Sequence, residues 1–330
     1  MVLFFRRSTL FLICLLFSFY CKGESDSSDE PIIVYIRDSF YETCVPFLKR
    51  TISGKVQYVK LSSSLLMGRL RLEKNKSRAD LVIGADSCLS PEIMALDITG
   101  KNRLKATDYD IPVPWKYTDI IPFCYSYLGI LYDESRLKEP PETFEDILES
   151  SLKISIPHPR TSTVGLVFFD WFKTKSKDLF QEKWRHLHER LLSLPKGLSE
   201  SFSLFVQGEC DLTVAYITSV DYAALRRQRM SIRSLPFKGL PLHAYTAFLT
   251  LKGSRKEKVH RILKALLSSD IQRQLITKDA LYPVQKEIKL QAKFQQKEPL
   301  PVLPLHDFTR QKRQALLLSL ESLSRTGQRL

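Results

Sequence analysis

The stretch that decides the fold runs from Pro157 to Ser219. It contains Pro-Arg-Thr-Ser-Thr-Val-Gly-Leu at 159–166, Lys-Gly-Leu-Ser-Glu at 196–200, and Gly-Glu-Cys-Asp-Leu-Thr-Val-Ala-Tyr-Ile-Thr-Ser at 208–219. In the first two segments hydroxyl residues come before an apolar run, as they do at the start of a helix. The third segment is an apolar run of strand length that ends in hydroxyl residues. The stretch therefore predicts helices that alternate with strands.

The rest of the chain continues this alternation. Apolar runs predict strands at 31–37, 56–61, 80–84, 120–132, 153–156, 212–217 and 244–251. Helical spacing predicts helices at 40–51, 63–75, 142–150, 164–175, 181–193, 199–207, 256–277 and 307–325, with Gly208 as a C-cap. This pattern is typical of an α/β protein with mostly parallel sheets.

The N-terminus has the pattern of an export signal. Arg6 and Arg7 precede an apolar stretch at 10–19 that is short for a bilayer span, and Cys21 follows before a polar tether at 23–30. We predict a signal peptide over 1–21 with lipid attached to Cys21. An ordinary cleaved signal and an uncleaved anchor are the alternatives, and each places the protein outside the cytoplasm.

The composition limits the partners. The formal net charge is +14, and 44% of the residues are hydrophobic, which is enough for two cores. A basic chain suggests nucleic acid, but the basic residues are spread along the sequence and the chain is predicted to be exported. We therefore expect no nucleic acid, and we expect an anionic ligand or an anionic membrane surface instead.

Cysteine and histidine usage does not point to a metal. Cys44, Cys88, Cys124 and Cys210 lie beyond the predicted signal, and they could form two disulfides in three connectivities or remain small buried residues. We favour buried residues. The sequence has no Cys-x-x-Cys pair, and its six histidines are scattered. We expect the histidines to lie at the surface and predict no metal site.

No enzyme motif is present in the sequence. It has no Gly-x-Ser-x-Gly, no P-loop and no dinucleotide fingerprint. We predict no catalytic residues and no cofactor.

Binding has physical support from two carboxylates at strand ends. Asp38 follows the first predicted strand and Asp86 follows the third. Ligands of open α/β sheets bind at the carboxyl ends of strands, whereas Asp is also a frequent helix N-cap. Both roles remain open for Asp38 and Asp86.

A second candidate group lies in the deciding stretch. Hydroxyls and free N–H groups at a helix N-terminus attract anions, so Thr161, Ser162 and Thr163, with Arg160 beside them, favour phosphate over simple capping. Ser199 begins the next helix in the same way. Further along, the candidates are Tyr216, Thr218, Ser219 and Tyr222, whose tyrosines could stack on a flat ring. Core packing is the alternative for Tyr216.

These segments together carry a family resemblance. With Val-Tyr-Ile-Arg-Asp-Ser-Phe at 34–40, Ala-Asp-Leu-Val-Ile-Gly-Ala-Asp at 79–86 and Leu-Tyr-Pro-Val at 281–284, they resemble the periplasmic thiamine-binding proteins of bacterial ABC importers. The resemblance implies the two-lobed type II periplasmic-binding-protein fold, each lobe a mostly parallel sheet flanked by helices. It implies lobe 1 at 31–122 and 244–280, lobe 2 at 123–243, and a C-terminal segment at 281–330 whose amphipathic helix packs on a lobe.

The resemblance also implies a ligand between the lobes and residues that line its cleft. By matching position these are Asp38, Ser39, Asp86, Ser162, Thr163, Tyr216 and Tyr222. The family pattern has tryptophans where this chain has Leu198 and Ala280, another near Cys44, and a tyrosine where Arg37 stands. Leu198 and Ala280 therefore remain candidate ligand contacts, but with different chemistry.

The first functional hypothesis is a substrate-binding protein that carries thiamine or thiamine phosphates to an ABC permease and its ATPase. It would work in the periplasm or at the cell surface, held to the membrane by the N-terminal lipid. Arg37 and the net charge suggest another phosphorylated or anionic metabolite as the alternative. Ferric ion is less favoured because the sequence has no Tyr-Tyr pair. A basic surface lipoprotein without a transport role is the alternative from another class.

Overall fold

The chain is organised around a mixed sheet, seen in a computed structural model that describes residues 30–225, 231–237, 239, 241–288 and 305–325. The strands of the described residues are β1 Ile32–Arg37, β2 Val56–Leu61, β3 Leu81–Asp86, β4 Ile121–Asp133, β5 Ile154–Ser155, β6 Leu191–Ser193, β7 Leu212–Tyr216, β8 Ile232–Ser234, β9 Leu242–Leu249 and β10 Tyr282–Pro283. The order in the sheet is β2-β1-β3-β9-β4-β7-β5-β6, and β8 and β10 pair with β4.

The helices of the described residues flank this sheet. They are α1 Asp38–Thr51, α2 Ser63–Glu73, α3 Ser90–Ala95, α4 Phe144–Glu149, α5 Thr163–Ser176, α6 Phe180–Arg190, α7 Leu198–Gln207, α8 Ser219–Leu225, α9 Glu257–Leu266, α10 Ser269–Asp279 and α11 Arg310–Arg325. Gly208 ends α7 in the left-handed region at φ 89°, as predicted.

The sheet has two halves that share the crossing strands β4 and β9. In the half that we call lobe 1, β1 is parallel to β2 and β3. In the half that we call lobe 2, β5 is parallel to β6 and β7. The crossing strands run antiparallel to their neighbours, so each half is parallel at its outer edge and antiparallel where the halves meet.

Strand β4 joins the two halves. Its first part, Ile121–Tyr127, pairs with β9, and its second part, Leu128–Tyr132, pairs with β7. Most of its 13 residues are buried and apolar, because helices or other strands cover both faces of the strand. This strand follows the predicted crossing at 120–132, while the residue bounds of the lobes stay a prediction.

The single helix predicted at 256–277 is interrupted in the structure. The structure has two helices, α9 and α10, and Ser268 stands between them in an extended conformation at ψ 147°. The Ser268 hydroxyl donates to the carbonyl of Ala265 at 2.7 Å, which is the competition with the helix backbone typical of serine. On α2, Leu66 and Leu70 are buried, whereas Leu65 and Leu72 are 62% and 87% exposed.

The C-terminal helix α11 contacts both halves of the sheet. Lys312 forms an ion pair with Asp170 of α5 in lobe 2, at 3.1 Å, whereas Arg313 lies 3.5 Å from Glu92 of α3 in lobe 1. The predicted amphipathic helix is therefore present, and it packs against two lobes rather than one. No helix among the described residues is both long and apolar enough to span a bilayer.

The structure tests the prediction about the cysteines but not the one about the N-terminus. Cys44, Cys88, Cys124 and Cys210 are all free and buried, which confirms the expectation of small buried residues. The predicted signal peptide, Cys21 and most of the tether lie outside the described residues.

Candidate functional site

An ion pair occupies the carboxyl ends of β1 and β3. Arg37 Nη1 donates to Asp86 Oδ1 at 2.6 Å, and Ser63 Oγ, from the start of α2, donates to Asp86 Oδ2 at 2.8 Å. The Asp86 side chain is 1% exposed and that of Arg37 is 16% exposed. Burial alone would raise the pKa of Asp86, but the charge of Arg37, together with the contacts of His243 and Ser63, outweighs burial and holds that pKa well below its usual range.

Three aromatic and imidazole side chains extend this pair into a buried network. His243 of β9 has Nε2 3.3 Å from Asp86 Oδ1, and its Nδ1 lies 3.0 Å from the hydroxyl of Tyr216. That hydroxyl lies 2.8 Å from the Tyr245 hydroxyl, and the Arg37 guanidinium stands 4.9 Å from the centre of the Tyr245 ring. Burial raises the pKa of Tyr245 to about 12, so both phenols stay neutral at pH 7.

The network crosses from one half of the sheet to the other. Tyr216 ends β7 in lobe 2, whereas Asp86 ends β3 in lobe 1, and His243 and Tyr245 stand on the crossing strand between them. A second polar link lies nearby, where Thr218 Oγ1 is 2.8 Å from Ser126 Oγ of β4. Polar contacts therefore hold the carboxyl ends of the strands together at the junction of the two halves.

A cavity of about 360 Å³ opens beside this network. Ser63 is common to both, since it lines the cavity and bonds Asp86. The lining comes from α2 and Leu89 in lobe 1, from the start of α5, the segment before it and the loop before α7 in lobe 2, and from α11. The lining residues are Ser63, Ser64, Met67, Arg71, Leu89, Pro159, Arg160, Thr161, Ser162, Thr163, Leu166, Lys196 and Arg313. The cavity is thus a cleft between the two halves.

The predicted anion-binding segment lies in this cleft. Ser162 is the N-cap of α5, with Oγ accepting from the Gly165 N–H at 3.4 Å, so the capping role and the cleft position coincide. Thr161 Oγ1 donates to the carbonyl of Lys196 at 2.8 Å, which ties the two predicted segments of lobe 2 together. A Cβ on Gly165 would stand 1.8 Å from the Pro157 carbonyl oxygen, so only glycine allows this close approach.

The cleft has a basic lining. Arg71, Arg160, Lys196 and Arg313 come from four separate elements. Glu92 pairs with both Arg71, at 2.6 Å, and Arg313, at 3.5 Å, and Glu321 pairs with Arg160. Four basic side chains therefore face two carboxylates, and no ion pair to Lys196 is found in the part of the chain that the structure describes. The excess of positive charge suits an anionic group.

The other predicted residues lie in four groups. Asp38 and Ser39 are exposed in the first turn of α1, where Asp38 Oδ1 accepts from the Ser39 N–H at 2.8 Å. Leu198 begins α7 half-buried, and Ser199 beside it is exposed. Ser219 begins α8.

Tyr222 and Ala280 form the last group. Tyr222 of α8 packs against a small cluster made of Ile276, Ala280 and Ile288. Ala280 is 2% exposed and ends α10 in the left-handed region at φ 51°. Neither residue is part of the cavity lining.

The sequence did not predict the two site residues on the buried strand β9, His243 and Tyr245. His243 is fully buried and His260 is buried as well, so the expectation that the histidines lie at the surface is wrong for these two residues. A histidine and a tyrosine inside the apolar run at 242–249 were the available clue, because a buried polar side chain needs a partner. Ser63, Arg71, Lys196 and Arg313 carry no comparable clue in the sequence.

Comparison with known proteins assigns the chain to a family. The sequence model described as bacterial extracellular solute-binding protein matches residues 43–278. The chain belongs to this family. A relative, the thiamine-binding periplasmic protein of Salmonella typhimurium, is 31% identical over 233 residues, which are 70% of this chain and 71% of the relative.

Solved structures support the assignment of this solute-binding protein to the family. A periplasmic thiamin binding protein superposes with a TM-score of 0.77 and 27% identity, over 89% of this chain and 95% of the other. A periplasmic binding protein of Actinobacillus pleuropneumoniae with fructose 6-phosphate bound gives a TM-score of 0.75 at 17% identity, over 90% and 99%. At that identity the second likeness concerns the fold alone. The predicted two-lobed type II fold is confirmed, and the family is one of binding proteins rather than enzymes.

Proposed function

We propose that this solute-binding protein captures thiamine or a thiamine phosphate in the cleft between its lobes and delivers it to an ABC permease with its ATPase. The observation that carries the proposal is the position of Arg160, Thr161, Ser162 and Thr163, which line a cavity of about 360 Å³ reached from both lobes. This volume lies at the lower end of the range for small-molecule sites. The printed names of the relatives supply the choice of thiamine.

The cleft favours a phosphorylated form over free thiamine. A phosphate at the N-terminus of α5 would meet free N–H groups, the helix dipole and Arg160. Lys196 and Arg71 stand on the same cavity. The same chemistry supports the second candidate, another phosphorylated or anionic metabolite, in case no thiamine compound binds.

Location and anchoring are part of the proposal. The family is extracellular, and we infer that the protein acts outside the cytoplasm, in the periplasm or at the surface, after removal of residues 1–20 and acylation of Cys21. In this proposal the lobes are 31–122 with 244–280 and 123–243. The protein carries its ligand without altering it, so no catalytic residue or cofactor belongs to the proposal.

Isothermal titration calorimetry tests the ligand. Thiamine, thiamine monophosphate and thiamine diphosphate are titrated, with inorganic phosphate as a further probe. We expect the phosphorylated forms to bind more tightly. Arg160→Gln should reduce that preference by about 10- to 150-fold, because a charge-assisted hydrogen bond contributes roughly 1.5–3 kcal/mol. Arg185→Gln is the matched control, since Arg185 is exposed on α6 outside the cavity lining. Absence of binding for all three thiamine compounds would reject thiamine as the ligand.

A further inference from the structure

The carboxylate of Asp86 is engaged on every side by the chain itself. Its Oδ1 accepts from Arg37 at 2.6 Å and lies 3.3 Å from His243 Nε2, and its Oδ2 accepts from Ser63 at 2.8 Å. A buried carboxylate needs a counter-charge, because removal of one partner leaves an uncompensated charge in a medium of low dielectric constant. Among the Arg and Lys residues of the described chain, Arg37 is the one that forms an ion pair with Asp86.

The surroundings of the Arg37 guanidinium are those of a receptor for an organic cation. A carboxylate stands on one side, and the ring of Tyr245 lies 4.9 Å away on another. Carboxylates and aromatic faces are groups with which proteins bind organic cations. The ion pair lies one contact behind the cavity wall, since Ser63 lines the cavity and donates to Asp86, and the Arg37 side chain is 16% exposed.

We infer that Arg37 is a resident cation that fills this receptor. It makes the cleft disfavour a ligand that places its positive charge at the ends of β1 and β3. The inference rests on the proposed function, because thiamine carries a permanent charge on its thiazolium ring. A neutral ring meets no such repulsion. Arg37 is therefore a residue that determines specificity, and Asp86 is its partner rather than a direct ligand contact.

The experiment compares thiamine with its uncharged analogue, in which a thiophene ring replaces the thiazolium. The quantity measured is the ratio of the two dissociation constants. Arg37→Gln removes the resident charge and leaves the Asp86 carboxylate available, so the ratio should shift toward the cation by about tenfold, or roughly 1.4 kcal/mol. Arg37→Lys keeps a positive charge and should keep the wild-type ratio.

Two further variants assign the effect to Asp86. In Arg37→Gln with Asp86→Asn the ratio should return to within about threefold of the wild type, because neither charge remains. Asp86→Asn alone leaves Arg37 without its partner, so the ratio should move against the cation. Thermal unfolding of each variant checks that it folds, and Asp86→Asn decides the matter if Arg37→Gln does not fold.

The outcomes separate this inference from the proposed function. A ratio that stays constant in Arg37→Gln, or that shifts equally in the double variant, overturns the role of Arg37 while thiamine binding by the wild type stands. A wild type that binds no thiamine compound, beside an Arg37→Gln variant that gains binding of the cation, overturns the proposed ligand and supports the role of Arg37. If no variant binds either compound, both ideas fail.

Discussion

Arg160 of lobe 2 forms an ion pair with Glu321 of α11, so the C-terminal helix supplies a carboxylate to the edge of the cleft. The same helix contacts Glu92 of lobe 1 through Arg313. Both side chains of the Arg160–Glu321 pair are partly exposed, at 43% and 37%, and an exposed pair is weak enough for a bound anion to replace it. The C-terminal helix would thus compete with an anionic ligand for Arg160.

The first prediction concerns this competition. Glu321→Gln frees Arg160, so a phosphorylated ligand should bind about 1.5- to 5-fold more tightly, which corresponds to roughly 0.2–1 kcal/mol for an exposed ion pair. Calorimetry with thiamine monophosphate measures the change. Glu182→Gln is the matched control, because Glu182 is exposed on α6 outside the cavity lining. Equal affinities in the wild type and Glu321→Gln would show that the ion pair does not compete with the ligand.

The second prediction concerns stability in acid. The folded protein lowers the pKa of Asp86, whereas an unfolded aspartate titrates near about 3.9. The unfolded chain therefore takes up the proton first, and the stability due to Asp86 is present above about pH 5 and lost as the pH falls through the folded pKa. Asp86→Asn should have a shallower dependence of the unfolding free energy on pH between about 5 and 3.

Urea unfolding at a series of pH values measures this dependence for the wild type and for Asp86→Asn. At pH 7 the variant should also be less stable by about 3–5 kcal/mol, because Arg37 is left buried without its counter-charge. Parallel curves for the two proteins between pH 5 and 3 would contradict the proposed origin of the acid sensitivity.

The third prediction concerns the thiols. Burial raises the pKa of Cys210 to about 11, and it raises the pKa of the Cys44, Cys88 and Cys124 thiols as well. Since the thiolate is the reactive species, these cysteines should resist alkylation in the folded protein. They should all react in urea without a reductant, because none of them is in a disulfide. Mass spectrometry of the alkylated peptides measures both states, and a thiol that stays blocked in urea would contradict the free state.

The sequence predicted most of the elements because their signals are local. The apolar runs at 120–132 and 212–217 mark buried strands, and Gly208 marks a helix end, since each depends on a few adjacent residues. The interruption at Ser268 was not predicted, because the apolar spacing of α9 continues across it into α10.

The candidate site was predictable only in part for the same reason. Thr161, Ser162 and Thr163 stand together in the sequence and lie together in the cleft. Arg37 and Asp86 stand at the ends of two different strands, and His243 comes to Asp86 from β9, which runs antiparallel to β3. The contacts among these three residues therefore depend on the fold of the whole sheet. Arg313 reaches the cleft from α11, far along the chain.

The last prediction separates Leu198 and Ala280, which the family pattern treats alike because it has tryptophan at both positions. Leu198 is half-buried at the first position of α7, two residues after Lys196 on the cleft. We expect a tryptophan at this partly exposed position to stack on a ligand ring. Stacking adds roughly 0.5–1.5 kcal/mol, so Leu198→Trp should bind thiamine about 2- to 13-fold more tightly.

Ala280 differs because its side chain is buried against Ile276, Ile288 and Tyr222. A tryptophan at this position would overpack the cluster and should lower the unfolding free energy by about 1–3 kcal/mol without tightening thiamine binding. Calorimetry and urea unfolding of the two single variants measure the contrast. Tighter binding and undiminished stability in Ala280→Trp would mean that the cluster around Tyr222 opens to admit the ring. In that case the ligand would extend to Ala280, beyond the cavity that the described residues enclose.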